Sequence, residues 1–187
     1  MKYNPDIHNR RSIRLKGYDY SQAGLYFITI CTKNRLCLFG KIENGKMFLN
    51  DAGQSAEHYW MAIPHHYPKT QLHEYVIMPN HVHGIVGVQD FEPPTKHMVK
   101  DVRVQDFEPL QPPQKNQYKK IIPRSIGAIV RGFKIGVTKW FRKNTDIHTV
   151  WQRNYYEHII RDEKFCYQIS QYIKNNPLKW QDDQYYE

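Results

Sequence analysis

The chain has 187 residues, which is enough for one domain with a substantial core or for one domain with a long insertion. Lysine and arginine outnumber aspartate and glutamate by 27 to 18, so the formal net charge is +9 and an anionic partner, nucleic acid first, is favoured. The three cysteines are odd in number and lack CxxC spacing, which argues against a disulfide framework and against a cysteine zinc site. No apolar run approaches the roughly 20 residues of a membrane span and no signal peptide is evident, so we expect a cytoplasmic protein without a membrane partner.

The N-terminal residues 1–20 form a basic arm ahead of the first strand signal. Four cations fall within seven positions, at Arg10, Arg11, Arg14 and Lys16. Such an arm can contact a nucleic-acid backbone or base edges, and it can equally be a solvated terminus. The sequence leaves both interpretations open.

The first predicted strand, 24–32, consists almost entirely of β-formers and is expected to lie at the centre of a sheet, covered on both faces. Two shorter extended pieces, 36–42 and 46–49, are joined by Asn44-Gly45, which predicts a β-hairpin. A helix follows, with Asn50 or Asp51 as its cap and Pro64 as its stop.

Two further strands, 72–78 and 81–88, are separated by Pro79-Asn80, a pair that suits a tight turn. His81 and His83 begin the second of these strands. Side chains alternate sides along a strand, so both imidazoles project from one face, roughly 6.6 Å apart along the strand, and can reach one ion. By itself this His-x-His pair is a weak signal for metal, because such pairs are more often two histidines bonded to backbone or solvent.

Residues 89–122 differ in composition from the rest of the chain. They are rich in proline, and the hexapeptide VQDFEP at 88–93 recurs at 104–109. The duplication is too short for a solenoid, so we interpret 89–122 as a flexible linker inserted into the domain.

Beyond the linker, Ser125 is predicted to cap a helix that runs to about residue 143. Arg124, Arg131 and Lys134 belong to the helix or its approach, either as phosphate contacts or as a solvated basic face. A short strand is expected near 148–151. The last helix is predicted over 162–176, and Pro177 ends it.

The last helix holds a second group of chemical interest. Tyr172 and Asn176 stand four residues apart, so one helical face can present a phenol and an amide oxygen together. A cation beside the phenol would lower its pKa and polarise a phosphate target. The alternative is a core tyrosine followed by a helix C-cap, and Tyr167 with Gln171 repeats the same spacing as a rival pair.

Three motifs together resemble the REP-associated tyrosine transposases of the single-tyrosine HUH superfamily. They are MPNHVHG at 78–84, WQRNYYEHIIR at 151–161 and YIKNNP at 172–177. The resemblance implies one α+β domain over 1–187, with a ferredoxin-like antiparallel sheet, two helices on one face and a C-terminal tyrosine-bearing helix at 161–177. It places the histidine motif on a central strand.

The resemblance also implies a chemistry. His81, His83 and Asn176 would hold Mg²⁺ or Mn²⁺, and Tyr172 would attack single-stranded DNA to give a 5′-phosphotyrosine link and a free 3′-hydroxyl. The substrates would be REP-like DNA hairpins in the nucleoid, bound by a monomer or a homodimer. The candidate DNA contacts are Arg10, Arg11, Arg14, Lys16, Arg124, Arg131, Lys134 and Arg153.

Two alternatives remain open at this point. A domesticated protein could keep the fold and the basic surface, bind DNA hairpins and cut nothing. A rolling-circle replication initiator or a relaxase would share the tyrosine chemistry, although the chain leaves no room for a helicase domain.

Overall fold

The computed structural model describes residues 23–88 and 125–186, and these form an α+β fold, as predicted. The predicted arm 1–20, the linker 89–122 and Arg124 lie outside the described residues. The strands are β1 (Gly24–Cys31), β2 (Gly40–Glu43), β3 (Lys46–Leu49), β4 (Thr70–Ile77), β5 (His81–Val88) and β6 (Tyr156–Ile160). The helices are α1 (Asp51–Met61), α2 (Ile63–His66), α3 (Ile126–Asn144) and α4 (Glu163–Asn175).

The main sheet has four antiparallel strands in the order β4-β5-β1-β6. The strand that begins with His81 is therefore central, as the sequence predicted. Its register pairs His83 with Thr29 of β1, and Thr29 pairs in turn with Tyr156 of β6. Directly opposed residues point to the same face, so these three side chains form one row across the sheet.

Strands β2 and β3 form a separate two-stranded ribbon. Asn44 and Gly45 both have positive φ (51° and 71°), the conformation that a two-residue hairpin turn requires, so the predicted hairpin is confirmed. The prediction that its first strand starts at residue 36 is wrong. Asn34 and Arg35 also have positive φ (53° and 52°), and the resulting 3-10 turn delays the strand to Gly40.

Each long helix begins at a polar cap. Asn50 Oδ1 accepts from the Gly53 amide (2.9 Å), Ser125 Oγ from Ala128 (3.3 Å) and Asp162 Oδ1 from Phe165 (2.7 Å). These caps satisfy amides that have no partner within the helix, and they place the starts of α1, α3 and α4 where the sequence predicted. Among the helices that the structure describes, none combines the length and the apolarity that a membrane span requires.

The two faces of the sheet are covered by different helices. On the helix-packed face, Tyr26, Ile28 and Val86 pack with Trp60 of α1 and Phe133 of α3. This arrangement confirms the predicted pair of helices on one face. On the opposite face, which we call the site face, α4 packs Ile169 and Ile173 against Leu25, Phe27, Ile85 and Ile160.

The strand predicted at 148–151 is not formed. Trp151 makes only an isolated bridge with Thr32, and the strand that completes the sheet is β6. The intervening segment is bound to α3, because Lys134 Nζ donates to the carbonyls of Gln152 and Asn154 (2.9 Å each). Trp151 Nε1 donates to the Lys134 carbonyl (3.1 Å). The bridge itself consists of two backbone hydrogen bonds, from the Lys33 amide to the Val150 carbonyl (2.8 Å) and from the Gln152 amide to the Cys31 carbonyl (3.0 Å).

Candidate active site

The two histidines of β5 lie side by side in the interior of the site face. Their ring centroids are 4.4 Å apart, and both side chains are buried. Buried polar groups require hydrogen-bond partners or a ligand. The partners of each ring nitrogen therefore decide what the pair can bind.

Each imidazole is oriented by a neighbour through its Nδ1 atom. His83 Nδ1 lies 2.8 Å from Thr29 Oγ1, and His81 Nδ1 lies 2.8 Å from Asn80 Oδ1. Asn80 donates its amide hydrogens to the carbonyls of Arg35 (3.0 Å) and Tyr185 (2.7 Å), so its oxygen faces His81. His81 must then carry its proton on Nδ1. The lone pair on its Nε2 atom is free for a ligand.

Burial keeps both imidazoles neutral. It lowers the pKa of His81 to about 4, against the opposing effect of the Asp183 carboxylate, which raises it. Burial also lowers the pKa of His83, and the neighbouring His81 lowers it further. Neutral imidazoles are the form that binds a metal ion.

Helix α4 brings Tyr172 and Asn176 to the histidines. The Tyr172 hydroxyl lies 3.1 Å from His83 Nε2, and its ring centroid is 5.2 Å from that of His83. Burial, followed by the Asp183 carboxylate, raises the pKa of Tyr172, so the phenol is protonated at neutral pH. The rival Tyr167 is 65% exposed on the same helix.

Asn176, the C-cap of α4, is buried at the end of the helix. Its Nδ2 atom donates to Asp183 Oδ2 (2.7 Å), which fixes the amide orientation. Within the described residues, neither Asn176 Oδ1 nor His81 Nε2 has a hydrogen-bond partner. The Asn176 side chain is nevertheless close enough to His81 to affect its pKa. Two buried acceptors with no donor between them are an arrangement that a cation would satisfy.

Asp183 is the site residue that the sequence analysis missed. Ligand atoms of His81, His83 and Asp183 all lie within 4.8 Å of one another. The carboxylate follows α4 on the C-terminal segment (177–186), and it is oriented by the amide of Tyr185, which donates to Oδ1 (2.7 Å). The sequence signal was weak, since Asp182 and Asp183 are adjacent and no periodicity separates them.

The C-terminal segment also forms one wall of the site. The ring of Tyr185 lies 4.7 Å from that of His81, and the ring of Trp180 lies 6.0 Å away. Arg35 Nη1 donates to the Gln184 carbonyl (3.1 Å), and its guanidinium lies 5.7 Å from the Tyr185 ring. These contacts hold the segment that carries Asp183 against the strands.

Three of the predicted DNA contacts lie in the described residues, and they share one groove between α3 and the segment before β6. Arg131 and Arg153 are exposed there, beside Tyr155. Lys134 is different, because its ammonium is bound to two carbonyls and burial lowers its pKa to about 8. Arg10, Arg11, Arg14, Lys16 and Arg124 lie outside the described residues, so their assignment stays a prediction.

Comparison with known proteins gives two relatives by sequence. The chain is 51% identical over 185 residues to an uncharacterized protein of Haemophilus influenzae, covering 99% of this chain and 97% of that protein. A second protein of that organism, provisionally named as a REP-associated tyrosine transposase, is 24% identical over 164 residues (86% of this chain, 74% of that protein). No protein-family model matches the chain.

The fold has a solved counterpart. The structure of a REP-associated tyrosine transposase bound to a REP hairpin superposes with a TM-score of 0.57, at 18% identity, over 91% of this chain and 74% of the other. At this identity the likeness concerns the fold. The α+β fold of this chain is therefore similar to the fold of that transposase.

Proposed function

This chain belongs to one family with the uncharacterized Haemophilus influenzae protein and is related to the REP-associated tyrosine transposases, and on that premise we propose that it is a metal-dependent enzyme that cuts and joins single-stranded DNA. One observation supports the proposal most directly. The Tyr172 hydroxyl lies 3.1 Å from His83 Nε2, within the cluster of His81, His83 and Asp183. A nucleophile and a cation site then share one pocket.

The donor set fits a divalent metal ion. His81 and His83 offer neutral Nε2 atoms, Asp183 offers a carboxylate oxygen, and the oxygen of Asn176 has no donor. Imidazole ligands also suit Zn²⁺, so the choice of Mg²⁺ or Mn²⁺ rests on the resemblance to the transposases and on phosphoryl transfer, and not on the ligand type. Such an ion, when bound, supplies Lewis-acid polarisation of the phosphate and lowers the pKa of a nearby phenol.

Tyr172 is the proposed nucleophile. Its phenol oxygen forms a bond to the phosphorus of a phosphodiester, and the bond between that phosphorus and the 3′-oxygen breaks. The products are a 5′-phosphotyrosine link and a strand with a free 3′-hydroxyl. Attack of a 3′-hydroxyl on the phosphotyrosine reverses the reaction and joins strands. Thr29 and Asn80 serve this chemistry by fixing the two imidazole rings.

The proposed substrate is a DNA hairpin of the REP type with an unpaired flank. The solved relative is described as bound to such a hairpin. In this chain, Arg131 and Arg153 line an exposed groove suited to phosphates, and we propose that they contact the hairpin together with the arm residues predicted above. Tyr172, His81, His83 and Asp183 are brought together within one chain, so a single copy is sufficient for the proposed site.

The proposal is tested by incubating the protein with a REP-like single-stranded hairpin and Mn²⁺ or Mg²⁺. We expect a covalent protein-DNA adduct that resists denaturant and that disappears in the absence of the divalent ion. Tyr172→Phe should form no adduct, whereas Tyr167→Phe, which changes an exposed tyrosine of the same helix, should form it as the parent does. Adduct formation by Tyr172→Phe at the parental level would refute the assignment.

A second candidate is a hairpin-binding protein that does not cut. It needs only the exposed cations of the groove, Arg131 and Arg153, which can contact DNA phosphates without any cleavage. Tight hairpin binding that is independent of divalent ions, with no adduct on any flanking sequence, would support this candidate. Cleavage would eliminate it.

A further inference from the structure

A row of aromatic rings leads from the candidate nucleophile to the edge of the sheet. Phe27 is at its centre, stacked 5.4 Å from His83, with Tyr172 and Tyr156 edge-on at 6.2 Å and 6.3 Å. Phe27 is only 9% exposed, whereas Tyr172 and Tyr156 are each 40% exposed. A buried ring thus separates two rings that solvent reaches.

The register explains why Tyr156 shares the site face. Thr29 pairs with His83 on one side and with Tyr156 on the other, so all three side chains project in the same direction. Strand β6 is an edge of the described sheet. Tyr156 therefore borders the site without being enclosed by it.

A phosphodiester placed for attack by Tyr172 carries a nucleotide on each side, and a neighbouring base must lie beside the phosphate. The rings of Phe27 and Tyr172 are at van der Waals range of each other, and Tyr156 is one ring further along the same face. Exposed aromatic rings in this position are what unpaired bases stack on, because every base has a π-face.

We propose that Tyr156 is a stacking platform for the base of a nucleotide that flanks the scissile phosphate in single-stranded DNA. The inference rests on the proposed function and deepens it, because it assigns a residue that positions the unpaired strand. Tyr156 takes no part in bond making. It determines how tightly the flank is held and which bases are preferred at that position.

Stacking is measured with a REP-like hairpin in which each unpaired position of the flank is replaced in turn by 2-aminopurine, a base whose fluorescence is quenched by stacking. The protein carries Tyr172→Phe, so that no cleavage occurs. We expect one position to be quenched on binding. Tyr156→Leu should remove that quenching and weaken binding of the flank by about 5- to 100-fold, the range expected for one base-aromatic stack.

Three further variants distinguish a loss of base stacking from damage to the fold. Tyr156→Phe and Tyr156→Trp keep an aromatic ring and should keep both the quenching and the affinity. Tyr167→Leu removes an equally large ring that is more exposed, at 65%, and should leave both unchanged. Parental quenching and affinity in Tyr156→Leu would overturn the inference, as would equal losses in Tyr156→Leu and Tyr156→Trp.

The same experiment distinguishes this inference from the proposed function. If the parent protein forms no covalent adduct but the quenching of 2-aminopurine depends on Tyr156, the stacking role is supported and the proposed cleavage is refuted. If the parent protein forms the adduct and Tyr156→Leu binds the flank with parental affinity, only the stacking role of Tyr156 is refuted. Absence of any binding to the flank overturns both.

Discussion

The two faces of the main sheet differ in the side chains that pack against them. On the helix-packed face, Tyr26, Ile28 and Val86 join α1 and α3 in a core from which solvent is excluded. On the site face, α4 covers only part of the strands, and beyond it lie His81 and His83 with a buried nitrogen that has no partner in the described residues. The helix-packed face is therefore an apolar core, whereas the site face combines a smaller apolar cluster with the polar group of His81, His83 and Asp183.

The site face should respond to mutation mainly through activity. His83→Gln removes an imidazole that is bound to Thr29 and lies beside the Tyr172 hydroxyl. We expect adduct formation to fall about 10⁴-fold or more, as for loss of a member of a catalytic unit. The rate is measured by denaturing gel on the hairpin substrate, and His65→Gln, at an exposed histidine of α2, is the control. A loss below tenfold would mean that His83 is an ordinary polar residue.

The helix-packed face should respond mainly through stability. Trp60 is buried against Phe133 and Tyr75, and a Cβ at Gly84 would overlap its indole. Trp60→Ala should lower the free energy of unfolding by about 3–5 kcal/mol, because it leaves a cavity in the core. Denaturant unfolding measures this loss. Trp180→Ala, at a partly buried ring near His81, should cost much less, and equal losses would contradict the contrast between the faces.

Substitution of Asp183 should weaken metal binding and leave the core intact. Asp183→Asn keeps the size of the side chain but removes the charge beside His81 and Asn176. We expect Mn²⁺ to bind about 10- to 100-fold more weakly, as measured by calorimetry in the absence of DNA. Asp182→Asn, at the exposed neighbouring carboxylate, should bind Mn²⁺ as the parent does. Equal affinities for both variants would remove Asp183 from the site.

Substitutions in the groove beside α3 are expected to have the smallest effect on hairpin binding, because this groove lies away from both apolar cores. Arg131→Ala should weaken hairpin binding only a few fold, and should reduce the slope of log K against log salt by about one unit, because one phosphate contact is lost. Binding is followed by fluorescence anisotropy at several salt concentrations. Lys134→Met should instead lower the free energy of unfolding, since Lys134 binds two carbonyls. A larger salt effect for Lys134→Met would reverse these assignments.

Local patterns predicted much of this molecule. The alternation along β5 placed both histidines on one face, and the spacing of Tyr172 and Asn176 placed both on one side of α4. The predicted caps at Asn50 and Ser125 marked where two of the helices begin. These features depend on backbone geometry over a few residues, so a sequence can specify them without knowledge of the rest of the fold.

Other features depended on packing between distant segments. The segment 148–151 was predicted to be a strand, but it contributes only an isolated bridge between Trp151 and Thr32. The charge of Lys134 is visible in the sequence, but its two carbonyl partners, Gln152 and Asn154, are visible only in the fold. Its contact with DNA stays a prediction. Tyr155 and Tyr156 are adjacent, yet only the sheet register assigns them to different surroundings.

The histidine pair shows most clearly which features depend on local sequence and which depend on the tertiary structure. The sequence alone predicted that two imidazoles share one face of a strand, because the side-chain period of a strand is two, and the resemblance implied that this strand is central. Whether they form a site depended on what lies opposite, and the fold brings a phenol, an amide and the unforeseen carboxylate of Asp183 to them. That carboxylate comes from a segment with no regular period, whose position is fixed by contacts across the whole chain, and only the folded structure contains those contacts.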